Sequence, residues 1–311
     1  MYYLNTINFK NISFLQVGME GLILQLYKKG HSYLSKSKAI KYSNVFRPLR
    51  RLNKFLIGII KSDYAVVLGH KMFLGKDSLR LSTRGVYEPF ITKMLQDEIK
   101  EGDTVLDLGA NIGYHTLLFA RQVGERGKVY AFEPDPINFQ LLKKNVEVNG
   151  YKNVIMEQKA VSNKSGFMKL YQDKDSTTSH SLRRNDSCSN IFNTVEVIRL
   201  DEYLGSEKVN FIKIDVEGAE HHALEGMGSL LKNPMKIMAE FSPSFLKNFG
   251  IDPNDFIQLL NDNGFNLIYN VNEKEEIIEP FNVQDFSVHL SQRFQGAVNT
   301  NMLCIKENNN Q

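Results

Sequence analysis

Short runs of apolar residues alternate with segments of helical spacing along most of the chain. The pattern predicts a β-hairpin at 65–68 and 71–74, with a turn at Gly69 and His70. Further strands are predicted at 104–108, 129–132, 154–161, 167–171, 195–200, 211–214, 236–241, 265–269 and 302–305, and helices at 88–100, 114–123, 136–149 and 254–263. Because strands that alternate with helices form a mostly parallel sheet covered on both faces, the expected fold class is α/β.

The first 62 residues differ from the rest in their charge. No acidic residue lies between Glu20 and Asp63, whereas ten lysines and arginines do, at 28, 29, 36, 38, 41, 47, 50, 51, 54 and 61. We therefore divide the chain into a basic N-terminal helical segment, 1–62, and a main domain, 63–311. The segment is either a surface helix that contacts anionic lipid or another polyanion, or an ordinary helix with its basic face in water. Nucleic acid is an unlikely partner, because no basic strand studded with aromatic residues accompanies the charges.

Composition narrows the class of protein. The 311 residues are 42% hydrophobic and 23% charged, as in soluble globular proteins. No apolar run approaches the roughly 20 residues that span a bilayer, and the N-terminus lacks the order of a signal peptide. Cys188 and Cys304 are too far apart to suggest a disulfide framework or a metal knuckle. These features predict a cytoplasmic protein, with peripheral membrane contact through 1–62 left open. They give no indication of oligomeric state.

A glycine-punctuated turn follows the strand at 104–108. It contains Gly109, Asn111 and Gly113, and the next strand ends at Glu133, more than 20 residues later. The glycines allow the backbone to approach a ligand, and a carboxylate at this distance can accept both hydroxyls of a ribose. In a dinucleotide fingerprint Asn111 and Tyr114 would be glycines that clear space for a pyrophosphate. The sequence therefore predicts a nucleoside without phosphates, and S-adenosylmethionine is the expected cofactor.

The carboxyl ends of the parallel strands define where this cofactor would bind. Asp107 is expected to hold the ammonium of the methionine part, Gly109 to admit its backbone, and Glu133 to hold the ribose. The loop after the third strand, which contains Ala160, is expected to contact the adenine through backbone and apolar groups. For Asp107 and Asn111 the alternative is turn chemistry, because both residue types bond their own backbone.

Four motifs carry a resemblance to a known family. They are Gly-Val-Tyr-Glu-Pro at 85–89, Asp-Leu-Gly-Ala-Asn-Ile-Gly-Tyr at 107–114, Phe-Glu-Pro-Asp at 132–135, and Ile-Lys-Ile-Asp-Val-Glu-Gly-Ala-Glu at 212–220. In this order they resemble the FkbM-type family of S-adenosylmethionine-dependent methyltransferases, over about 63–306. The resemblance implies a Rossmann-like sheet of seven strands with the last one antiparallel, and methyl transfer to hydroxyls of sugars, lipids or secondary metabolites. It also makes Glu88 a candidate for contact with the cofactor.

Transfer to a hydroxyl requires a base that takes the proton, or a metal ion that lowers the hydroxyl pKa. The candidate catalytic carboxylates are Asp215, Glu217 and Glu240, of which Asp215 is also a candidate for cofactor binding. Asp215 and Glu217 would share one face if the strand at 211–214 continued through them. Glu240 ends the next strand and is expected to face the same cavity.

Other interpretations of these residues stay open. Lys213 is a candidate to neutralise Asp215, and Glu220 a candidate to stabilise the start of a helix. His221 is a further candidate base, but its neighbour His222 diverges from it by about 100° on a helix, so we do not expect the two to form one cluster. No metal site is predicted, because no histidine or additional acid occurs at a spacing that is typical of metal ligands.

Two classes of function remain. The first is an enzyme that methylates a hydroxyl of a small-molecule, glycan or lipid-linked acceptor. The second is a non-catalytic protein that keeps the fold and binds membranes or polyanions through 1–62. The polar stretch 173–193 is predicted to be a mobile loop, which is either a lid over the acceptor or an ordinary surface loop.

Overall fold

The computed structural model describes residues 64–75, 81, 85–174, 180–184, 188–281 and 299–307. The basic segment 1–62, with its predicted helix, lies outside the described residues, as does the boundary between the two predicted domains. Within the described part of the chain, no helix combines the length and the apolar character needed to cross a bilayer.

Strands and helices alternate as the sequence pattern predicts. The strands are β1 Ala65–Val67, β2 His70–Met72, β3 Thr104–Leu108, β4 Lys128–Phe132, β5 Val154–Glu157, β6 Lys159–Val161, β7 Gly166–Asp173, β8 Cys188–Ile198, β9 Phe211–Ile214, β10 Met235–Phe241, β11 Leu267–Asn272, β12 Ile277–Phe281 and β13 Thr300–Lys306. The helices are α1 Pro89–Glu98, α2 Tyr114–Val123, α3 Pro136–Val148, α4 Leu200–Leu204, α5 Glu220–Glu225, α6 Pro243–Asn248 and α7 Pro253–Asp262, with a 3-10 helix at Gly228–Lys232.

The main sheet has eight strands in the order β5-β4-β3-β9-β10-β13-β11-β12. The five strands from β5 to β10 are parallel, and β13 runs antiparallel between β10 and β11. This arrangement confirms the expected fold class, including the antiparallel last strand. The sheet is one strand wider than the seven that the resemblance implies, because β11 turns back into β12. The strand order reverses between β3 and β9, which is where open α/β sheets bind ligands.

Alternate side chains of the central strands pack against helices on opposite faces. Val105 and Phe211 join a buried cluster with residues of α1 and α2. Leu106 and Ile212 join a larger cluster with residues of α4, α5 and α7. The prediction of helices on both faces is confirmed. Since side chains alternate along a strand, Asp107 and Lys213 lie on the α2 face.

A second, smaller sheet departs from the sequence prediction. The strand predicted at 154–161 is divided, and its second part, β6, pairs with β8 in a three-stranded sheet of order β6-β8-β7. The loop predicted at 173–193 is wrong for its last residues, because β8 begins at Cys188 and pairs with β7. Polar residues are accommodated in β8 because much of its first half is exposed. Residues 175–179 and 185–187 lie outside the described residues, so the lid hypothesis stays a prediction.

The β-hairpin is confirmed, with its turn one residue earlier than predicted. β1 and β2 pair antiparallel around Leu68 and Gly69, both of which have positive φ. Asn145 of α3 and Asn149, directly after that helix, connect β2 and the residue after it to the main domain. Their side chains accept hydrogen bonds from the backbone N–H groups of Phe73 and Lys71, at 2.6 and 3.0 Å.

Candidate active site

The turn after β3 is held by backbone contacts on both sides. The N–H groups of Gly109 and Ala110 donate to the carbonyl oxygen of Phe132 at the end of β4, at 3.0 and 2.9 Å. Gly109 has φ +81°, and a Cβ atom built there would lie 1.8 Å from the carbonyl oxygen of Asp215. Glycine is therefore required by the close approach of the segment after β9, in addition to any role beside a ligand.

Glu133 is buried at the end of β4, and both of its oxygens face backbone donors. The N–H of Asn111 donates to Oε2 at 2.8 Å, and the N–H of Asp135 donates to Oε1 at 2.9 Å. Burial raises the pKa of Glu133 to about 8, although these two hydrogen bonds oppose the shift. When Glu133 is ionised, its carboxylate offers about four acceptor positions, so two remain for the hydroxyls of a ribose.

The side chain of Asn111 bonds the neighbouring backbone, as the alternative interpretation of this turn predicts, whereas the side chain of Asp107 bonds another side chain. The Asn111 side chain accepts a hydrogen bond from the N–H of Ile112 at 2.8 Å. Asp107 is buried, and its Oδ2 accepts from the Thr116 hydroxyl at 2.6 Å. Within the described part of the chain, its Oδ1 has no hydrogen-bond partner. Because buried polar atoms are nearly always paired, this oxygen fits an incoming donor such as the ammonium of a methionine moiety.

Lys213 is a buried cation beside Asp107. The two residues are directly paired in the register of β3 and β9, and Lys213 Nζ lies 2.9 Å from Asp215 Oδ2. Burial alone would lower the pKa of Lys213, but the attraction of Asp215 and Asp107 outweighs it and raises the pKa. The expectation that Lys213 neutralises Asp215 is confirmed.

Glu88 stands at the start of α1 in an unusual conformation. It is the residue before the helix and has the left-handed angles φ 43° and ψ 70°. Burial raises its pKa to about 7, against the opposing attraction of Lys213. The first turn of α1 is fixed by Glu273, whose carboxylate accepts from the N–H groups of Phe90 and Ile91 at 3.3 and 2.9 Å. Sequence reasoning missed Glu273, which lies more than 180 residues from its partners and has no local signature.

Backbone strain is concentrated in the predicted site. Five non-glycine residues of the described chain have positive φ, and three of them, Glu88, Asn111 and Glu217, are candidate site residues. Such conformations cost about 1–3 kcal/mol each and cluster at functional sites, where the surrounding structure enforces them. The strain supports a functional role for the loops before α1, after β3 and after β9.

The carboxylates after β9 lie on a turn and not on a continued strand. β9 ends at Ile214, so the condition under which Asp215 and Glu217 would share a strand face is not met. The Glu220 carboxylate accepts from the N–H groups of Val216 and Gly218 at 3.1 Å each, and α5 begins at Glu220. The prediction that Glu220 lies at the start of a helix is therefore confirmed, and its carboxylate also holds the turn before that helix.

Glu240 lies near the end of β10, beside these acids. Burial raises its pKa to about 9, and the negative charges of Asp215 and Glu217 add to the effect. The Asn299 side chain donates to Glu240 Oε1 at 3.3 Å. The structure thus brings Asp215, Glu217 and Glu240 within electrostatic range of one another, with Lys213 opposing their charge.

Two other candidates lie apart from this group. Ala160 is buried on β6 in an apolar cluster with Leu170, Val195 and Val197, so its side chain faces the small sheet. His221 Nδ1 lies 3.6 Å from Glu225 Oε2 on its own helix. Roles of Ala160 towards adenine and of His221 as a base stay predictions.

The expectation that His221 and His222 cannot form a cluster is wrong. One ligand atom from each of His221, His222 and Glu225 lies within 4.8 Å of the others. The rotation of about 100° separates the Cβ atoms of neighbouring helical residues, but both imidazoles are long enough to reach the same carboxylate.

Comparison with known proteins identifies the family. The sequence model of the methyltransferase FkbM domain matches residues 107–267, just over half of the chain. The chain belongs to this family. It is a methyltransferase, and S-adenosylmethionine is its methyl donor. The unpaired oxygen of Asp107 and the spare acceptor positions of Glu133 fit the amino acid and ribose parts of that molecule.

The sequence identity between this chain and individual relatives is low. The chain is 28% identical over 179 residues to the hexuronic acid methyltransferase AglP of Haloferax volcanii, which covers 56% of this chain and 68% of the relative. It is 28% identical over 144 residues to methyltransferase 1 of Beauveria bassiana, covering 40% of this chain and 57% of that protein. A putative methyltransferase of Streptococcus mutans, solved with S-adenosylhomocysteine, is 10% identical, with a TM-score of 0.42 and coverage of 70% and 97%.

Proposed function

We propose that this methyltransferase transfers the methyl group to a hydroxyl oxygen of a carbohydrate-like acceptor, either free, lipid-linked or part of a secondary metabolite. The observation that carries the proposal is Glu240, a partly buried carboxyl whose pKa is raised to about 9 beside Asp215 and Glu217. A hydroxyl must lose its proton during methylation, and a carboxyl with a raised pKa is, once ionised, a stronger base for that proton than an ordinary carboxylate.

The donor would be held by the ends of β3 and β4. Glu133 would accept hydrogen bonds from the ribose hydroxyls, and Asp107 would accept from the ammonium of the methionine part. Gly109, Asn111 and Gly113 keep the backbone of the turn close to both. Bound S-adenosylmethionine supplies an electrophilic methyl group on a positively charged sulfur.

Glu88, Asp215 and Ala160 are proposed at the edges of the donor site. Glu88 is half-buried at the start of α1, within the electrostatic range of Lys213 and Asp215. Asp215 follows β9 directly and faces Lys213. Ala160 would contribute through its backbone alone, because its side chain is packed inside the small sheet.

The acceptor would be oriented by Asp215 and Glu217 and deprotonated by Glu240. Asp215 already forms an ion pair with Lys213, which suits it to accept hydrogen bonds at a fixed position and leaves proton transfer to Glu240. His221 faces Glu225 on its own helix, and we assign it no step in this proposal.

The charge of the site favours a neutral acceptor. Glu240, with a pKa of about 9, holds its proton at neutral pH, and Glu88, with a pKa of about 7, is about half ionised. The carboxylates of Asp215 and Glu217, together with the ionised part of Glu88, still outnumber the Lys213 ammonium. The relative AglP is named for a hexuronic acid, but a carboxylate on the acceptor would be repelled here. We therefore propose a neutral sugar hydroxyl or polyol, which donates hydrogen bonds to carboxylates.

The test combines donor binding with product analysis. Calorimetry should show that Glu133→Ala abolishes binding of S-adenosylhomocysteine, whereas the matched surface variant Glu147→Ala binds as the wild type does. Methyl-labelled donor should then be incubated with neutral and uronic glycans, and the labelled atom identified by mass spectrometry and NMR. Label on nitrogen or carbon, or only on uronic acceptors, would contradict the proposal.

A second proposal concerns the basic segment. The absence of acids between Glu20 and Asp63 favours contact with a polyanionic surface such as an anionic membrane. Vesicles with and without phosphatidylserine should co-sediment the full chain only when the anionic lipid is present. A triple replacement of Arg50, Arg51 and Lys54 by glutamate should remove this binding. Equal sedimentation of both proteins would rule out the segment as the contact.

A further inference from the structure

Helix α5 carries a cluster of side chains that can act as metal ligands, namely His221, His222 and Glu225. His221 Nδ1 lies 3.6 Å from Glu225 Oε2, and His222 completes a set whose ligand atoms all lie within 4.8 Å of one another. In a tetrahedral zinc site, ligand atoms about 2.0–2.2 Å from the ion are roughly 3.5 Å apart. Small side-chain rotations would therefore bring the three residues to binding distance.

Surrounding residues hold these side chains in position. Asn163, in the loop after β6, donates from Nδ2 to Glu225 Oε2 at 2.8 Å. The His222 ring packs edge-on against Phe249, with 5.9 Å between ring centroids. Such outer contacts orient metal ligands in known sites and reduce the entropy lost on binding.

His221 supplies an independent sign that a partner is missing. Its side chain is only 12% exposed, and within the described part of the chain its Nδ1 atom is buried without a hydrogen-bond partner. Most buried nitrogen atoms find a donor, an acceptor or an ion. Glu225 approaches at 3.6 Å, which is too long for a hydrogen bond but suits two ligands of one ion.

We propose that His221, His222 and Glu225 bind one divalent transition-metal ion of the zinc type, with a water molecule in the fourth position. Two imidazoles and a carboxylate favour Zn²⁺, Co²⁺ or Ni²⁺ over Mg²⁺ and Ca²⁺, which prefer oxygen ligands. An imidazole coordinates a metal ion in its neutral form.

The ion would stabilise the start of α5. Through Asn163 it would link this helix to the loop after β6, and Glu220 at the first position of α5 holds the turn that carries Asp215 and Glu217. The inference does not depend on the identity of the methyl acceptor, because none of the three ligands has a role in the proposed methyl transfer.

The test uses the full chain, purified without a polyhistidine tag and treated with a chelator. Calorimetry with Zn²⁺ and visible absorption with Co²⁺ should both show one ion per chain, and Zn²⁺ should raise the melting temperature. His222→Ala and Glu225→Gln should lower the Zn²⁺ affinity at least tenfold. Asn163→Ala should lower it about 10- to 100-fold, as the loss of an outer contact does.

A matched histidine variant serves as the control. His180 does not belong to the cluster, and its ring faces Asp135 at 3.7 Å. His180→Ala should therefore bind Zn²⁺ as the wild type does. Circular dichroism and binding of S-adenosylhomocysteine establish that each metal-free variant is folded. The proposal is overturned if the wild type binds no Zn²⁺, or if His222→Ala and Glu225→Gln both retain its affinity and its Co²⁺ spectrum.

Discussion

The ammonium of Lys213 lies 2.9 Å from the carboxylate of Asp215, and the lysine side chain is only 6% exposed. Asp107 is its direct neighbour across β3 and β9, and its charge also opposes the raised pKa of Glu88. A buried cation among several acids holds those acids in a compact arrangement that repulsion would otherwise open.

Replacement of Lys213 by methionine should therefore destabilise the protein. Removing one partner of a buried ion pair costs about 3–5 kcal/mol, and we expect about 3 kcal/mol because of partial exposure at Asp215. Urea unfolding at pH 8 and pH 5 would measure the change. The loss should be smaller at pH 5, because Asp107 and Glu88 have raised pKa values and can take up protons.

Lys213→Arg is the matched control for charge, since it keeps the cation and should lose less stability than Lys213→Met. If the methionine variant unfolds at the same urea concentration as the wild type at both pH values, the lysine is not the electrostatic centre of the site.

The turn after β3 gives a second prediction, based on backbone geometry. Gly109→Ala should destabilise the protein by more than about 3 kcal/mol, since it adds a clash to the left-handed penalty of about 1–2 kcal/mol. The added Cβ would lie 1.8 Å from the Asp215 carbonyl oxygen. Gly102 has a similar φ of +89° with nothing within 4 Å, so Gly102→Ala should show only the left-handed penalty. Equal losses of melting temperature in both variants would contradict the clash.

The site residues whose positions the sequence predicts correctly are those that follow from local order, and their roles towards the methyl donor stay predictions. Asp107 and Glu133 end parallel strands, and strands of this kind converge at the switch in strand order. The alternation of strands and helices likewise predicts the α/β sheet. β12 escaped prediction, although it begins with two isoleucines and ends with a proline and a phenylalanine. It is a short strand at the edge of the sheet, and its pairing with β11 depends on the turn that joins these two strands.

Roles set by distant neighbours could not be read from the chain. The high pKa of Glu240 depends on burial and on Asp215 and Glu217, which come from a different strand end. The need for glycine at 109 arises partly from the Asp215 backbone. The His221–His222 cluster was missed because helical rotation describes Cβ positions and not the reach of two imidazoles towards Glu225.

Glu273 is the subject of a third prediction, because it holds the helix start that follows Glu88. Its carboxylate accepts from two free N–H groups of α1 and lies at the positive end of the helix dipole. Loss of such a cap costs about 1 kcal/mol, and Glu273→Gln keeps only one acceptor oxygen and no charge. We expect the melting temperature to fall by about 2–4 °C. Glu275→Gln, at an exposed position in the same loop, should leave it unchanged, and an equal fall in both variants would exclude a specific cap.

Glu240 provides the last prediction, which concerns pH. Its pKa is about 9 in the folded protein and about 4.3 in an unfolded chain. Between these values the folded state holds a proton that the unfolded state has lost, so the free energy of unfolding falls as pH rises. Glu240→Gln cannot lose this proton, and its stability relative to the wild type should increase by up to about 1.4 kcal/mol per pH unit from pH 5 to 8.

The catalytic activity of Glu240→Gln should fall, although the stability of this variant relative to the wild type rises. If Glu240 accepts the hydroxyl proton, Glu240→Gln should lower kcat by about 10²- to 10⁴-fold. In the wild type, kcat/KM should rise nearly tenfold per pH unit up to about pH 9, as the carboxyl becomes ionised. The exposed variant Glu147→Gln should keep the wild-type profile. A wild-type profile that is flat from pH 6 to 8.5, together with an active Glu240→Gln enzyme, would assign the proton to another group, and Asp215 would be the next candidate.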